Sequence, residues 1–110
     1  MSETVLVRSV LKELAARGVW SWRVNSGATI IQSAKYGERF LAGAPKGSPD
    51  IFVILNGGRL GGIECKTAIG KQNPNQKAWE EKAAKHSVRY GVARSVSDAL
   101  SLVDAWQADG

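Results

Sequence analysis

Apolar residues Leu6, Val7, Val10, Leu11 and Leu14 recur at helical spacing between about Ser2 and Arg17, and Gly18 follows as a stop. Trp20, Trp22 and Val24 then alternate with Ser21, Arg23 and Asn25, the period-2 pattern of a half-buried strand, which Ala28 to Ile31 either extends or pairs with. Residues 33–48 carry Gly37, Gly43, Pro45 and Gly47 among four charges, a pattern that predicts a long basic loop. Ile51 to Leu55 is an unbroken apolar run suited to a strand buried on both faces, and Asn56-Gly57-Gly58 signals a hairpin into a second strand over 59–67. Asn73 as cap and Pro74 at the first position open a helix running to about His86. Val88, Tyr90 and Val92 alternate as a further strand. Ser95 or Ser97 caps a last helix with Val96, Ala99, Leu100, Val103 and Trp106 on its buried stripe. The order helix, strands, helix, strand, helix predicts an α/β (α+β) fold in one domain over residues 1–110, with no repeat or linker. Trp20, Trp22 and Trp106 fall on apolar stripes and are expected in the core.

Composition narrows the function. At 110 residues and 44% apolar, the chain can bury a core without staples. One cysteine, Cys65, and one histidine, His86, exclude a disulfide framework, a Cys/His zinc cluster and any hydrolase that needs two imidazoles. His86 sits at a helix end, where a cationic side chain complements the dipole. No apolar run approaches the ~20 residues of a membrane span. Glu3 also stands where a signal peptide has its basic region. The expectation is a cytoplasmic protein, or one of the host-cell cytoplasm if viral, with no membrane partner. Net charge is +5, with the excess in the middle of the chain, which favours a polyanionic partner such as nucleic acid.

The candidate chemistry lies in Gly47-Ser48-Pro49-Asp50 and in Glu64-Cys65-Lys66. Side chains two apart on a strand share a face, so Glu64 and Lys66 point one way and Cys65 the other. A three-residue loop at Asn56-Gly57-Gly58, with Gly58 at positive φ, pairs Leu55 with Arg59 and brings Asp50 directly opposite Glu64. Adjacent cross-strand carboxylates repel unless something positive sits between them. Either Lys66 or a hard divalent cation fills that need, and Mg²⁺ is typically held by one or two carboxylates plus water and phosphate. Glu3 falls in the middle of the first helix's apolar stripe and is expected to face inward; as an acid in the first turn it equally suits the dipole. Gln76 fits a capping box with Asn73. Cys65 reads as a small core residue.

Pro49-Asp50 followed by Glu64-Cys65-Lys66 resembles the PD-(D/E)XK nuclease signature. The surroundings resemble the virus-type replication-repair nuclease family, VRR-Nuc: an acid at the head of helix one, WRVNSG at 22–27, GSPD at 47–50, IECKT at 63–67 and Gln76 opening the next helix. The resemblance covers about Glu3 to Tyr90. It implies a restriction-endonuclease-like core of order αβββαβα, with a central mixed sheet flanked by helices. It also implies a Mg²⁺- or Mn²⁺-dependent DNA endonuclease acting on branched duplexes, four-way (Holliday) junctions among them, as a homodimer with no organic cofactor. On this resemblance Asp50 and Glu64 bind the metal with the Cys65 backbone carbonyl, Lys66 holds and helps deprotonate the attacking water, and Glu3 is a third acid acting directly or through water. Gln76 orients water or phosphate.

DNA contacts are expected from Arg23, Asn25, Lys35, Arg39 and Lys46, before or within the loop entering Asp50, and from Lys71 after the Glu64–Lys66 strand. Phosphate contacts of this kind position without specifying sequence, so recognition is expected by shape. The alternatives are a non-catalytic nucleic-acid-binding protein of the same fold and a hydrolase of another phosphodiester. A binder has no need of Asp50, Glu64 and Lys66 together, and the other hydrolase would cleave small activated esters without DNA.

Overall fold

The computed structural model describes the backbone of residues 1–25, 28–33 and 37–109, and the side chains of 1–25 and 43–109. Ser2 caps helix α1 (Glu3–Ala16), its hydroxyl accepting from the Val5 amide, and the chain leaves the helix through Gly18 at φ +73°. Strand β1 (Trp20–Arg23) follows, then β2 (Ala28–Ser33), β3 (Gly37–Ala42), β4 (Ile51–Ile54), β5 (Leu60–Cys65), α2 (Pro74–Lys85), β6 (Arg89–Ala93) and α3 (Val96–Ala108), the last capped by Ser95.

The central sheet has the order β1-β4-β5-β6, with β1, β4 and β5 antiparallel in turn and β6 parallel to β5. This is the mixed sheet that the family resemblance implies. The parallel step needs a crossover, and α2 supplies it. Leu6, Val7, Val10 and Leu14 of α1 join Ala99, Val103 and Trp106 of α3 over one face, burying Ile51, Val53, Leu55, Ile63, Cys65 and Ala93. On the other face Trp79 of α2 lies over Gly62, between Phe52 and Tyr90. None of the described helices is long and apolar enough to cross a membrane.

Three expectations need correction. Residues 33–48 are not one loop: β2 and β3 pair with each other from Ala28↔Ala42 to Ser33↔Gly37, outside the central sheet, and this hairpin is inserted into the predicted αβββαβα order. The run from Ile51 to Leu55 is not buried on both faces; Ile51, Val53 and Leu55 are buried, while Phe52 and Ile54 are half-buried. Trp20 and Trp22 are not core residues, being 70% and 40% exposed, whereas Trp106 is 7% exposed. The last two differences share a cause. β1 is an edge strand, and α2, whose Trp79 meets Phe52 on the face that the β1 tryptophans share, leaves β1 itself uncovered.

The Pro49 ring packs closely on the sheet at Gly62, where an added Cβ would lie 2.6 Å from Pro49 Cγ and 3.6 Å from the Trp79 ring of α2. Gly62→Ala is therefore expected to cost about 1–3 kcal/mol, read as a lower urea midpoint at unchanged m-value.

Candidate active site

The segment entering β4 is held before it reaches Asp50. Gly47, at φ +87°, packs so tightly on the first turn of α2 that a Cβ would lie 2.2 Å from the Asn75 carbonyl oxygen. The Ser48 amide and hydroxyl both donate to the Pro45 carbonyl, at 3.1 and 2.7 Å, and the Pro49 side chain is fully buried. Asp50 thus enters the sheet from a fixed turn.

The β4–β5 register decides what it meets. Ile51 pairs with Ile63, the Leu55 amide donates to the Arg59 carbonyl at 2.7 Å, and the Asn56–Gly58 turn closes with Gly57 and Gly58 at φ +80° and +78°. One step beyond the Ile51–Ile63 pair, Asp50 stands opposite Glu64, as the three-residue loop predicts. The Cys65 amide donates to Asp50 Oδ2 at 2.8 Å. Because the N–H and C=O of a strand residue point to the same edge, the Cys65 carbonyl turns toward Asp50 as well.

Glu64 is 2% exposed, and its Oε2 is buried with no hydrogen-bond partner among the described residues. Burial, a hydrogen bond with Asp50 and the charges of Asp50 and Glu3 push its pKa up to about 9 against the opposing pull of Lys66. Without a further cation Glu64 is therefore protonated at neutral pH. Lys66 is half-buried, and the ion pairs among the described residues, Arg17–Asp104 and Arg89–Asp109, do not include it. A simple salt bridge does not account for the cluster. The Cys65 thiol, in the core on the opposite face, is pushed up to about 12 by burial and the nearby carboxylates, which leaves it inert.

A solved structure described as a "VRR_NUC domain" matches this architecture, with a TM-score of 0.63 over 96% of this chain and 99% of its own, at 20% sequence identity. The chain has the fold of a VRR_NUC domain. No family model matches the sequence, and neither does any curated protein.

Within this VRR_NUC fold the other predicted residues separate. Glu3, expected to face inward, is exposed in the first turn of α1, where only an end position of the apolar stripe is available to it, yet its charge helps to raise Glu64 and Cys65. Among the described residues no three His, Cys, Asp or Glu side chains cluster to hold a metal, so Glu3 does not stand as a direct third ligand. Gln76 forms the capping box: its Oε1 accepts from the Asn73 amide at 2.9 Å, and its own amide donates to Asn73 Oδ1 at 2.9 Å. That oxygen is already engaged, and only the side-chain NH₂ is left to reach a substrate. Arg23, Asn25, Lys46 and Lys71 are exposed. Lys35 lies outside the described residues; the Arg39 backbone pairs with Ile31 in the β2–β3 hairpin, and its side chain is likewise outside them.

Two features of the site go beyond the motif. Arg94 Nη1 donates to the carbonyls of Thr67 and Gly70, both at 2.6 Å, tying down the turn that follows Lys66. Trp22, Phe52, Trp79 and Tyr90 form a row across the sheet next to the carboxylates, with ring centroids 5.6–6.1 Å apart. The row is implicit in the alternation of Trp20, Trp22 and Val24 and of Val88, Tyr90 and Val92. Placing both alternations on the carboxylate face requires the strand order, which the sequence does not state. The Arg94 contact leaves no sequence signal.

Proposed function

We propose that the chain is a single nuclease domain over residues 1–110, a Mg²⁺- or Mn²⁺-dependent DNA endonuclease that selects its substrate by structure. The observation that carries this reading is Glu64 Oε2, a buried carboxylate oxygen without a partner among the described residues, beside Asp50 and within the field of Lys66. Two carboxylates on paired strands, one of them orphaned, suit a hard divalent cation, which takes oxygen ligands and keeps several waters. Asp50, Glu64 and the Cys65 carbonyl would hold it, with Glu3 reaching it through water. When bound, such an ion supplies Lewis-acid stabilisation of the phosphodiester charge and acidifies water. Lys66, as the neutral amine, would hold the attacking water and take up its proton, while the departing 3′ oxygen takes a proton from solvent. Asp50 is kept in place by the Cys65 amide, and Arg94 holds the chain beyond Lys66.

Arg23, Lys46 and Lys71, with Asn25, supply phosphate contacts that position a duplex without reading its bases. Each phosphate neutralised contributes about −0.9 to the slope of log K against log salt, so Arg23→Ala and Lys71→Ala are each expected to flatten it by about that amount. Filter binding over a salt series reads the change.

Symmetric cutting of a four-way junction needs two sites, so a homodimer acting on branched duplex DNA belongs to this reading. The test incubates a synthetic four-way junction and the matching linear duplex with Mg²⁺, Mn²⁺ or EDTA. Metal-dependent nicking of the junction in preference to the linear duplex is expected. Binding without cleavage in either metal would instead make the chain a non-catalytic nucleic-acid-binding protein.

A further inference from the structure

A groove of about 460 Å³ opens between the Pro45–Lys46 turn, helix α2 and the start of β5. Leu60, Trp79 and Val88 give it apolar walls, while Lys46, Lys82 and His86 stand exposed around it; no acidic side chain among the described residues lines it. Leu60 and Glu64 lie on one face of one strand, so the groove begins about 13 Å from the carboxylates at the usual strand rise. Trp79 is the wall common to both, since its ring also covers Gly62 and meets Phe52 and Tyr90 at 6.0 and 5.6 Å.

An apolar, aromatic-walled slot with a basic rim suits a polyanion that carries flat apolar groups. Paired duplex presents phosphates and hides its bases, so it would use the rim and leave the walls empty. Unpaired strand uses both, its bases stacking on aromatic side chains while its backbone follows the positive charge. A span of about 13 Å corresponds to about four stacked nucleotides. We propose that this groove receives an unpaired strand of the nucleic-acid substrate, its bases against Trp79 and its phosphates on Lys46, Lys82 and His86. The proposal deepens the nuclease reading and rests on it: the substrate class becomes duplex DNA with a single-stranded arm at the cleavage point.

The test measures binding alone, in EDTA, by fluorescence anisotropy of a blunt duplex and of the same duplex carrying a short oligo-dT tail. The tailed duplex is expected to bind at least about fivefold more tightly. Ala78→Trp, which fills the groove from an exposed position of α2 and leaves its basic rim in place, should remove that preference while changing blunt-duplex binding less than about twofold; Lys82→Glu, which reverses a rim charge, should weaken the tailed duplex more than the blunt one, and Lys82→Arg should keep the preference. Equal affinity of the wild type for both duplexes would overturn the proposal, as would variants that weaken both alike or leave the preference intact. Sedimentation of the same variants covers the remaining case, because conversion of a dimer to a monomer would assign the groove to a protein contact and overturn it. No cleavage is read here, so failure of the nuclease reading would show in the junction assay and not in this one.

Discussion

Lys66→Ala is expected to lower metal-dependent cleavage of a branched duplex by about 10²–10⁴-fold, the range that a positioned proton-transfer group contributes. Lys66 is the cation closest in sequence to the carboxylate pair, shares the Glu64 face of β5 and pulls against the raised pKa of Glu64. The Cα of residue 66 is tied to β6 through its amide, which donates to the Ala93 carbonyl at 3.0 Å, so truncating the side chain leaves the strand in place. Mn²⁺ affinity, followed by calorimetry, should therefore change little, or tighten as the opposing charge is removed. Asp50→Asn should do the reverse, weakening Mn²⁺ binding as well as cleavage. Equal loss of metal binding in both variants would remove Lys66 from the chemistry and leave it a structural charge.

Glu64→Gln is expected to stabilise the metal-free protein by about 2–3 kcal/mol at pH 7. The sign follows from its protonation. Between the ordinary carboxyl value of 4.5 and about 9, folded Glu64 holds a proton that the unfolded chain has released. The folded state therefore binds more protons across that window, and stability falls as pH rises through it. Glutamine does not titrate and can still donate to Asp50 as the protonated acid does. Urea melts in EDTA should show wild type and variant converging below about pH 4 and separating steadily toward pH 9. Divalent cations should narrow the gap by stabilising the wild type, with proton release on binding that calorimetry in two buffers can count.

The order of elements, the helix caps and the opposition of Asp50 to Glu64 were legible in the chain because each depends on local stereochemistry. Asn56-Gly57-Gly58 sets a loop length, the loop length sets a register, and the register places two acids side by side. What was not legible depends on which surfaces are covered. Alternation identifies Trp20 and Trp22 as sharing a face, yet only the strand order shows that this face lies on an edge beyond the reach of α2. The β2–β3 pair was hidden because β3 carries the glycine and charges of a loop, so that Ala28 to Ile31 was read as extending or pairing with the first strand, whereas β2 and β3 pair with each other. Glu3 was expected to face inward on the helical stripe, but it is exposed in the first turn of α1, ahead of a packing that begins at Leu6. Gln76 satisfied two readings at once, and only the observed bonds to Asn73 separate them.

The first turn of α2 bears on how the molecule holds its partner. Helix beginnings commonly grip anions through free main-chain amides. Here Pro74 has no amide hydrogen, the Gln76 amide is spent on Asn73, and Gly47 is pressed against Asn75. The backbone has little left there with which to grasp a phosphate. On the proposed function, grip there falls to long cationic side chains such as Lys46 and Lys71, which slide along a strand more readily than they lock onto it, and a modest rise in ionic strength should loosen them well before the fold yields.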